Sequence, residues 1–187
     1  MKLFNVAVIV GTMLVPAVMP ARDINSKDVK VAVVENPIAK EVRHELLMLP
    51  YLSVFDDLSF TIDETPAGAV VTLFGSTVRP VLQSSAVNVV KRIEGVESVI
   101  DKIELLPLSP FDDRIRMATF RKIYGDNILG MRYGLRANPP IRIVVSHGNI
   151  KLAGVVANEA DRNLAGIRAR EVAGAFTVVN ELKVSKD

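Results

Sequence analysis

Two stretches of this chain match at a constant offset of 79 residues, and that self-similarity restricts the fold to something built twice. Leu73, Gly75, Ala86, Ile93, Gly95, Val99 and Ile103 correspond in turn to Leu152, Gly154, Ala165, Val172, Gly174, Val178 and Leu182. Each copy reads as a strand ending at a glycine, an amphipathic helix ending at a second glycine 20 residues later, and a closing strand. Gly75, Gly95, Gly154 and Gly174 are therefore given structural roles, at strand ends and helix caps.

The residues around each repeat extend the pattern. In the first copy Ile38, Val42, Glu45, Leu46 and Leu49 mark an opening helix, started by Asn36 before Pro37 and stopped by Pro50. Phe60 and Ile62 alternate with polar residues, Glu64 to Gly68 reverses the chain, and Ala69 to Phe74 returns as a hairpin partner. Leu82, Ser85, Ala86, Val89, Val90 and Ile93 put one apolar or small stripe on a helix face, and Val96 to Leu105 closes the copy. In the second copy the opening helix spans about Phe111 to Tyr124, with Pro110 ahead of it, Asp112 and Asp113 in its first turn and Gly125 after it. Ile141, Ile143 and Val145 alternate, Ser146-His147-Gly148-Asn149 is a tight reversal, and Ile150, Leu152 and Val155 return. Asn158 caps a helix with Leu164, Ala165, Ala169 and Val172 on its packing stripe, and Phe176 to Val184 closes the copy. The expected class is α+β: two repeated α-β-β-α-β domains, each a small three-stranded mixed sheet with helices packed on one face.

Ahead of the repeats, Lys2 precedes an apolar run from Leu3 to Val15, broken by Pro16 and followed by Ala17 to Ala21. The run is shorter than the roughly 20 apolar residues of a spanning helix, and it reads as a secretory signal cut near Ala21, with an uncleaved anchor as the alternative. The organisation is then 1–21 signal peptide, 22–35 linker, 36–107 first domain and 110–187 second domain. The 187 residues contain no cysteine, which excludes disulfides, thiolate metal sites, a cysteine nucleophile and the lipid-bearing cysteine of a lipoprotein.

The duplicated unit, with VTLFGSTV or IKLAGVVAN before the second helix and IEGVESVIDKIEL or VAGAFTVVNELKV after it, resembles tandem BON domains over nearly the whole chain beyond the signal. The resemblance implies a non-enzymatic, exported, periplasmic and membrane-associated protein of the bacterial envelope. It implies phospholipid binding and a role in envelope maintenance or osmotic stress. The chain departs from the pattern in a longer first hairpin loop, Asp63 to Gly68, and in an added stretch from Asp126 to Pro140.

The residues themselves supply no catalytic set. His44 sits beside Arg43 and Glu45 on a polar helix side, and His147 sits at a hairpin tip, neither with a nucleophile nearby in sequence. Asp56-Asp57 and Asp112-Asp113 read as capping and solubility residues. Gly125 to Gly130 has the spacing of a phosphate loop without its Lys-Ser/Thr, so no cofactor and no metal is expected. Gly130 to Gly134 has the spacing of a membrane helix interface, which Arg132 and Arg136 rule out.

Charge separates the copies. Residues 22–110 hold 9 basic and 13 acidic residues, whereas residues 111–187 hold 13 basic and 8 acidic. The excess centres on Arg114, Arg116, Arg121, Lys122, Arg132 and Arg136, interleaved with Phe120, Tyr124 and Tyr133. Cations mixed with rings suit an anionic phospholipid surface, where the cations meet phosphates and the rings bury at the headgroup boundary. These nine residues form the candidate lipid-binding set. Three other uses of the same side chains stay open: packing and solvation of the helix, docking of the negative copy on the positive one, and contact with an envelope protein or a second copy. Nucleic acid is not an expected partner, because the G-x-x-G clamp of a KH module is absent.

Overall fold

The computed structural model describes residues 36–185, which fall within one compact unit; the signal peptide and linker expected over 1–35 lie outside the described residues. The elements run α1 (Pro37–Leu47), β1 (Asp57–Thr65), β2 (Gly68–Thr77), α2 (Pro80–Val90), β3 (Val96–Leu105), α3 (Pro110–Tyr124), α4 (Asn127–Leu129), β4 (Ile141–Ser146), β5 (Asn149–Val156), α5 (Glu159–Arg170), β6 (Thr177–Asn180) and β7 (Lys183–Val184). A π-helical turn, Gly130–Gly134, follows α4. The fold is α+β and repeats helix, strand, strand, helix, strand. In each copy an antiparallel hairpin lends its second strand to a parallel closing strand, in the orders β1-β2-β3 and β4-β5-β6.

Local chemistry explains the elements. Asn36 accepts the Ile38 amide at 2.8 Å and Pro37 supplies a preset first turn, so α1 starts where expected. Val42 and Leu46 face inward from α1, and Leu82, Ala86 and Val90 from α2, onto Val71, Leu73 and Ile103 of the sheet. Ser109 caps α3 and Asn158 caps α5 by accepting the amides three residues on. The second hairpin closes through His147 and Gly148, both at positive φ (50° and 77°), the geometry of a two-residue primed turn.

Several boundaries differ from the sequence expectation. Neither repeat glycine ends its strand: Gly75 and Gly154 sit inside β2 and β5 at φ +111° and +112°. A Cβ there would lie 1.9 Å from a carbonyl oxygen, that of Asp57 at the start of β1 or of Pro140 just ahead of β4, so both positions require the close approach that glycine alone permits. The long first hairpin loop is not a loop. β1 and β2 extend until only Pro66 and Ala67 remain, with the Thr65 hydroxyl donating to the Gly68 carbonyl at 2.8 Å. Helix α2 stops at Val90 and α5 at Arg170, each followed by a short turn to Gly95 or Gly174 at positive φ. The last strand is split into β6 and β7, which makes the second sheet four-stranded; the Glu181 amide still donates to the Leu152 carbonyl at 2.8 Å, and the break falls at Leu182, whose amide donates to Asn180 Oδ1 at 3.3 Å.

The added stretch belongs to the second core. Leu129 and Tyr133 are buried there with Ile115, Ile123, Ile141, Ile143 and Leu152. The two domains also dock. The Ile143 amide donates to the Val54 carbonyl at 2.7 Å, so the segment before β1 runs beside β4. Arg142 donates to Ser53 O at 2.9 Å, Lys151 pairs with Asp57 at 3.2 Å, and Phe55 packs edge-on against Phe120 at 6.2 Å between centroids. An exposed ion pair contributes about 0.2–1 kcal/mol, and even partial burial of a phenyl ring matches that. The docking thus rests on Phe55 and the backbone bond at least as much as on the opposite net charges.

Candidate functional site: the outer face of the second opening helix

Helix α3 is amphipathic in charge as well as in hydropathy, and it divides the candidate cations into two groups. Ile115, Thr119 and Ile123 face the sheet, and Arg116 goes with them: its side chain is 3% exposed. The Arg116 guanidinium binds Asp113 and donates to the Val145 carbonyl of β4 at 2.7 Å, while its Nε lies buried without a partner. Arg116 is thus a brace between α3 and β4, withdrawn from any surface contact. Asp112 is buried as well and accepts the His147 and Gly148 amides at 2.9 and 2.7 Å, clasping the hairpin tip. The expectation that this acid serves capping and solubility is corrected by those two bonds.

The aromatic members are also inward. Phe120 and Tyr124 pack against the second core with ring centroids 5.2 Å apart. The Tyr124 hydroxyl donates to the Ile141 carbonyl at 2.6 Å, and burial pushes its pKa up to about 12 against the opposing pull of Arg142. Tyr133 is buried, donating to Asp161 at 2.6 Å and accepting the Ala157 amide at 2.9 Å. Arg132 reaches both oxygens of Asp161 at 2.6 and 2.7 Å. Burial alone would raise the Asp161 carboxyl, but the hydrogen bonds from Arg132 and Tyr133 outweigh it and hold the group below the usual carboxylate range. The bond to Asp161 correspondingly raises Arg132.

The remaining cations lie outside. Lys122 is exposed and pairs with Glu171 at 3.1 Å. Arg136 lies over the Tyr133 ring at 5.9 Å. Arg114 and Arg121 are exposed and, among the described residues, have no ion-pair partner; Arg114 lies over the Phe111 ring at 5.8 Å. Together with Phe111, Met117 and Ala173, these two arginines line a shallow depression of about 560 Å³ on the outer face of α3. Phe176 lies against Phe111, centroids 6.0 Å apart, and is 73% exposed. The nine-residue set is therefore not brought together: Arg114 and Arg121 share this face, whereas Arg116, Phe120, Tyr124 and Tyr133 are committed to the interior. Phe111, Met117 and Phe176 were missed. For Phe111 and Met117 the available signal was their helical spacing with Arg114 and Arg121, at 111, 114, 117 and 121 on one face of α3; Phe176, ahead of β6, gave no such signal.

Among the described residues no group of His, Cys, Asp and Glu is arranged to hold a metal, and no helix is long and apolar enough to cross a membrane. The BON domain family matches residues 35–107 and 131–186, over half of the chain. The chain belongs to the BON domain family. BON domains are non-catalytic binding domains, typically of periplasmic or envelope-associated proteins. Among solved structures, the C-terminal domain of CdsD, a structural protein of the Type III secretion system of Chlamydia trachomatis, is similar at 11% identity and a TM-score of 0.31, over 81% of this chain and 98% of that one. A second CdsD structure is similar at 11% identity and a TM-score of 0.30, over 79% and 92%. No curated protein matches the sequence.

Proposed function

We propose that the protein is an exported, non-enzymatic envelope component that binds anionic phospholipid surfaces through the outer face of α3 in the second BON domain. The observation that carries this is the pairing of two cations without an ion-pair partner among the described residues, Arg114 and Arg121, with the exposed apolar side chains Phe111, Met117 and Phe176. Such a face gains twice at an anionic bilayer. Each basic side chain near the surface contributes about 1 kcal/mol, and the apolar groups leave water at the headgroup boundary. The net positive charge of residues 111–187 acts in the same direction at longer range, within a Debye length of roughly 8–10 Å. Arg132, Lys122 and Arg136 belong to the wider positive field and make weaker contributions, because Arg132 and Lys122 already hold acids. The competing use of this face is docking of an envelope protein, for which apolar side chains ringed by arginine are equally suited.

Co-sedimentation of the chain with neutral and anionic vesicles at low and high salt separates the two. Binding confined to anionic vesicles, weakened by salt and lost in the Arg114→Glu/Arg121→Glu variant, is the expected result. A folded protein that sediments with neither vesicle overturns the lipid surface and leaves the protein partner.

A further inference from the structure

Where the two BON domains meet, a groove of about 480 Å³ runs between α1 and β1 on one side and the β4, β5 and β7 edge of the second domain on the other. Sites for small organic ligands span roughly 300–1,000 Å³. The groove shares no residue with the depression on α3. Its walls are mainly hydrocarbon: Leu46 and Leu47 from α1, Leu58 and Phe60 from β1, and Val155 from β5. Leu47 is 40% and Val155 49% exposed, so the groove presents aliphatic surface that the described residues leave uncovered.

The charges in the groove are one-sided. Arg43, Arg142 and Lys183 line it against one acid, Asp56. That carboxylate is fully engaged: Oδ2 accepts from the amide and hydroxyl of Ser53 at 2.9 and 2.6 Å, and Oδ1 from the Thr77 hydroxyl and Val78 amide, both at 2.9 Å. Arg142 is in the opposite position. Its guanidinium is half-buried and donates to Ser53 O, and among the described residues it has no other side-chain hydrogen bond and no carboxylate within ion-pair distance; Asp57 pairs with Lys151 instead. Burial lowers the pKa of its guanidinium, with Tyr124, Asp57 and Asp56 opposing the shift at longer range. A cation that has lost part of its water without gaining a counter-ion favours an anion beside it. Lys183, exposed and without an ion pair among the described residues, stands at the same second-domain wall.

We propose that this interdomain groove binds a single-chain anionic amphiphile of the fatty-acid class, its chain along Leu47, Leu58, Phe60 and Val155 and its carboxylate against Arg142 and Lys183. Hydrocarbon along both walls, with Arg142 and Lys183 on the second-domain wall, fits a molecule with one charged end. A zwitterionic head finds no acid free to meet its cation, because Asp56 is occupied. The site is independent of the α3 face, and the two stand or fall separately.

The test is calorimetric titration of the full chain, freed of bound lipid, with laurate below its micelle concentration, with dodecanol as the neutral control. Lys183→Glu and Val155→Glu alter exposed side chains, and their thermal melts verify that each variant is folded. Laurate is expected to bind once per chain, at least about ten-fold more weakly in each variant, with dodecanol weaker by a similar factor. Arg114→Glu/Arg121→Glu is expected to leave laurate binding unchanged. A folded chain that takes no laurate, or takes it equally well in both groove variants, overturns the proposal.

Discussion

The two BON domains share their strand-crossing glycines to within a degree of φ, yet they fasten their opening helices in different ways. In the first, α1 is held by aliphatic contacts of Val42 and Leu46, with Leu49 just after it in the same core. In the second, α3 is held by polar devices as well: Asp112 on the hairpin tip, Arg116 on the Val145 carbonyl, and Tyr124 on the Ile141 carbonyl. The added turn brings Tyr133 and Arg132 onto Asp161 at the start of α5. The difference teaches that a dense run of basic and aromatic residues splits by helix face. Half of it is internal fastening, and the half left outside is what a partner can touch.

The shared element gives the largest predicted effect. Gly75→Ala and Gly154→Ala each force a methyl group into a facing carbonyl oxygen at a positive φ, and each should cost more than about 3 kcal/mol in urea unfolding or prevent folding. If one is tolerated and the other is not, the two glycine positions are not equivalent. The unshared fastening comes next. Asp112→Ala strands two backbone amides at the second hairpin tip, a loss of about 2–3 kcal/mol in the same assay, and the primed turn of the second hairpin is where hydrogen exchange should accelerate.

Acid should discriminate between the domains more gently. Asp161 is held below the usual carboxylate range, and so is Asp126, chiefly by the Ile128 amide and also by Arg168. A carboxyl depressed in the folded state binds its proton first in the unfolded chain. The stability it provides is therefore complete above the unfolded value of about 4 and is lost as the pH falls through the folded one. Thermal melts between pH 6 and pH 3 should show that loss, and Asp161→Asn should flatten it; an unchanged slope contradicts the assignment. The smallest effect concerns the junction. Lys151→Met removes the pair with Asp57 and should change stability by less than about 1 kcal/mol, because Phe55 and the Val54–Ile143 backbone bond remain.

Much of this architecture is legible in the sequence. The 79-residue repeat, the caps at Asn36 and Asn158 and the His147-Gly148 turn are local signals, and local signals locate elements well. Less was legible in the candidate site, for a physical reason. Arg116 and Arg114 stand two residues apart, and composition counts them alike, but a helix turns them roughly 200° from each other, one onto β4 and one into solvent. Asp161 read as a first-turn acid, which it is. Its burial beneath Arg132 and Tyr133 depends on a stretch that the repeat could not align. Phe176 was assigned to the closing strand, whereas the strand begins one residue later and leaves the ring at the surface beside Phe111.

Because the chain has no cysteine, single spin labels can be placed without background. Labels at Met117 and Phe176 on the second domain, and at Ile100 on the first, all replace exposed side chains. On adding anionic vesicles, the labels at 117 and 176 should gain contact with oxygen dissolved in the lipid and lose contact with a water-soluble paramagnet, while 100 stays aqueous. Burial of the label at 100 with 117 and 176 unchanged would contradict the assignment of the membrane face to α3.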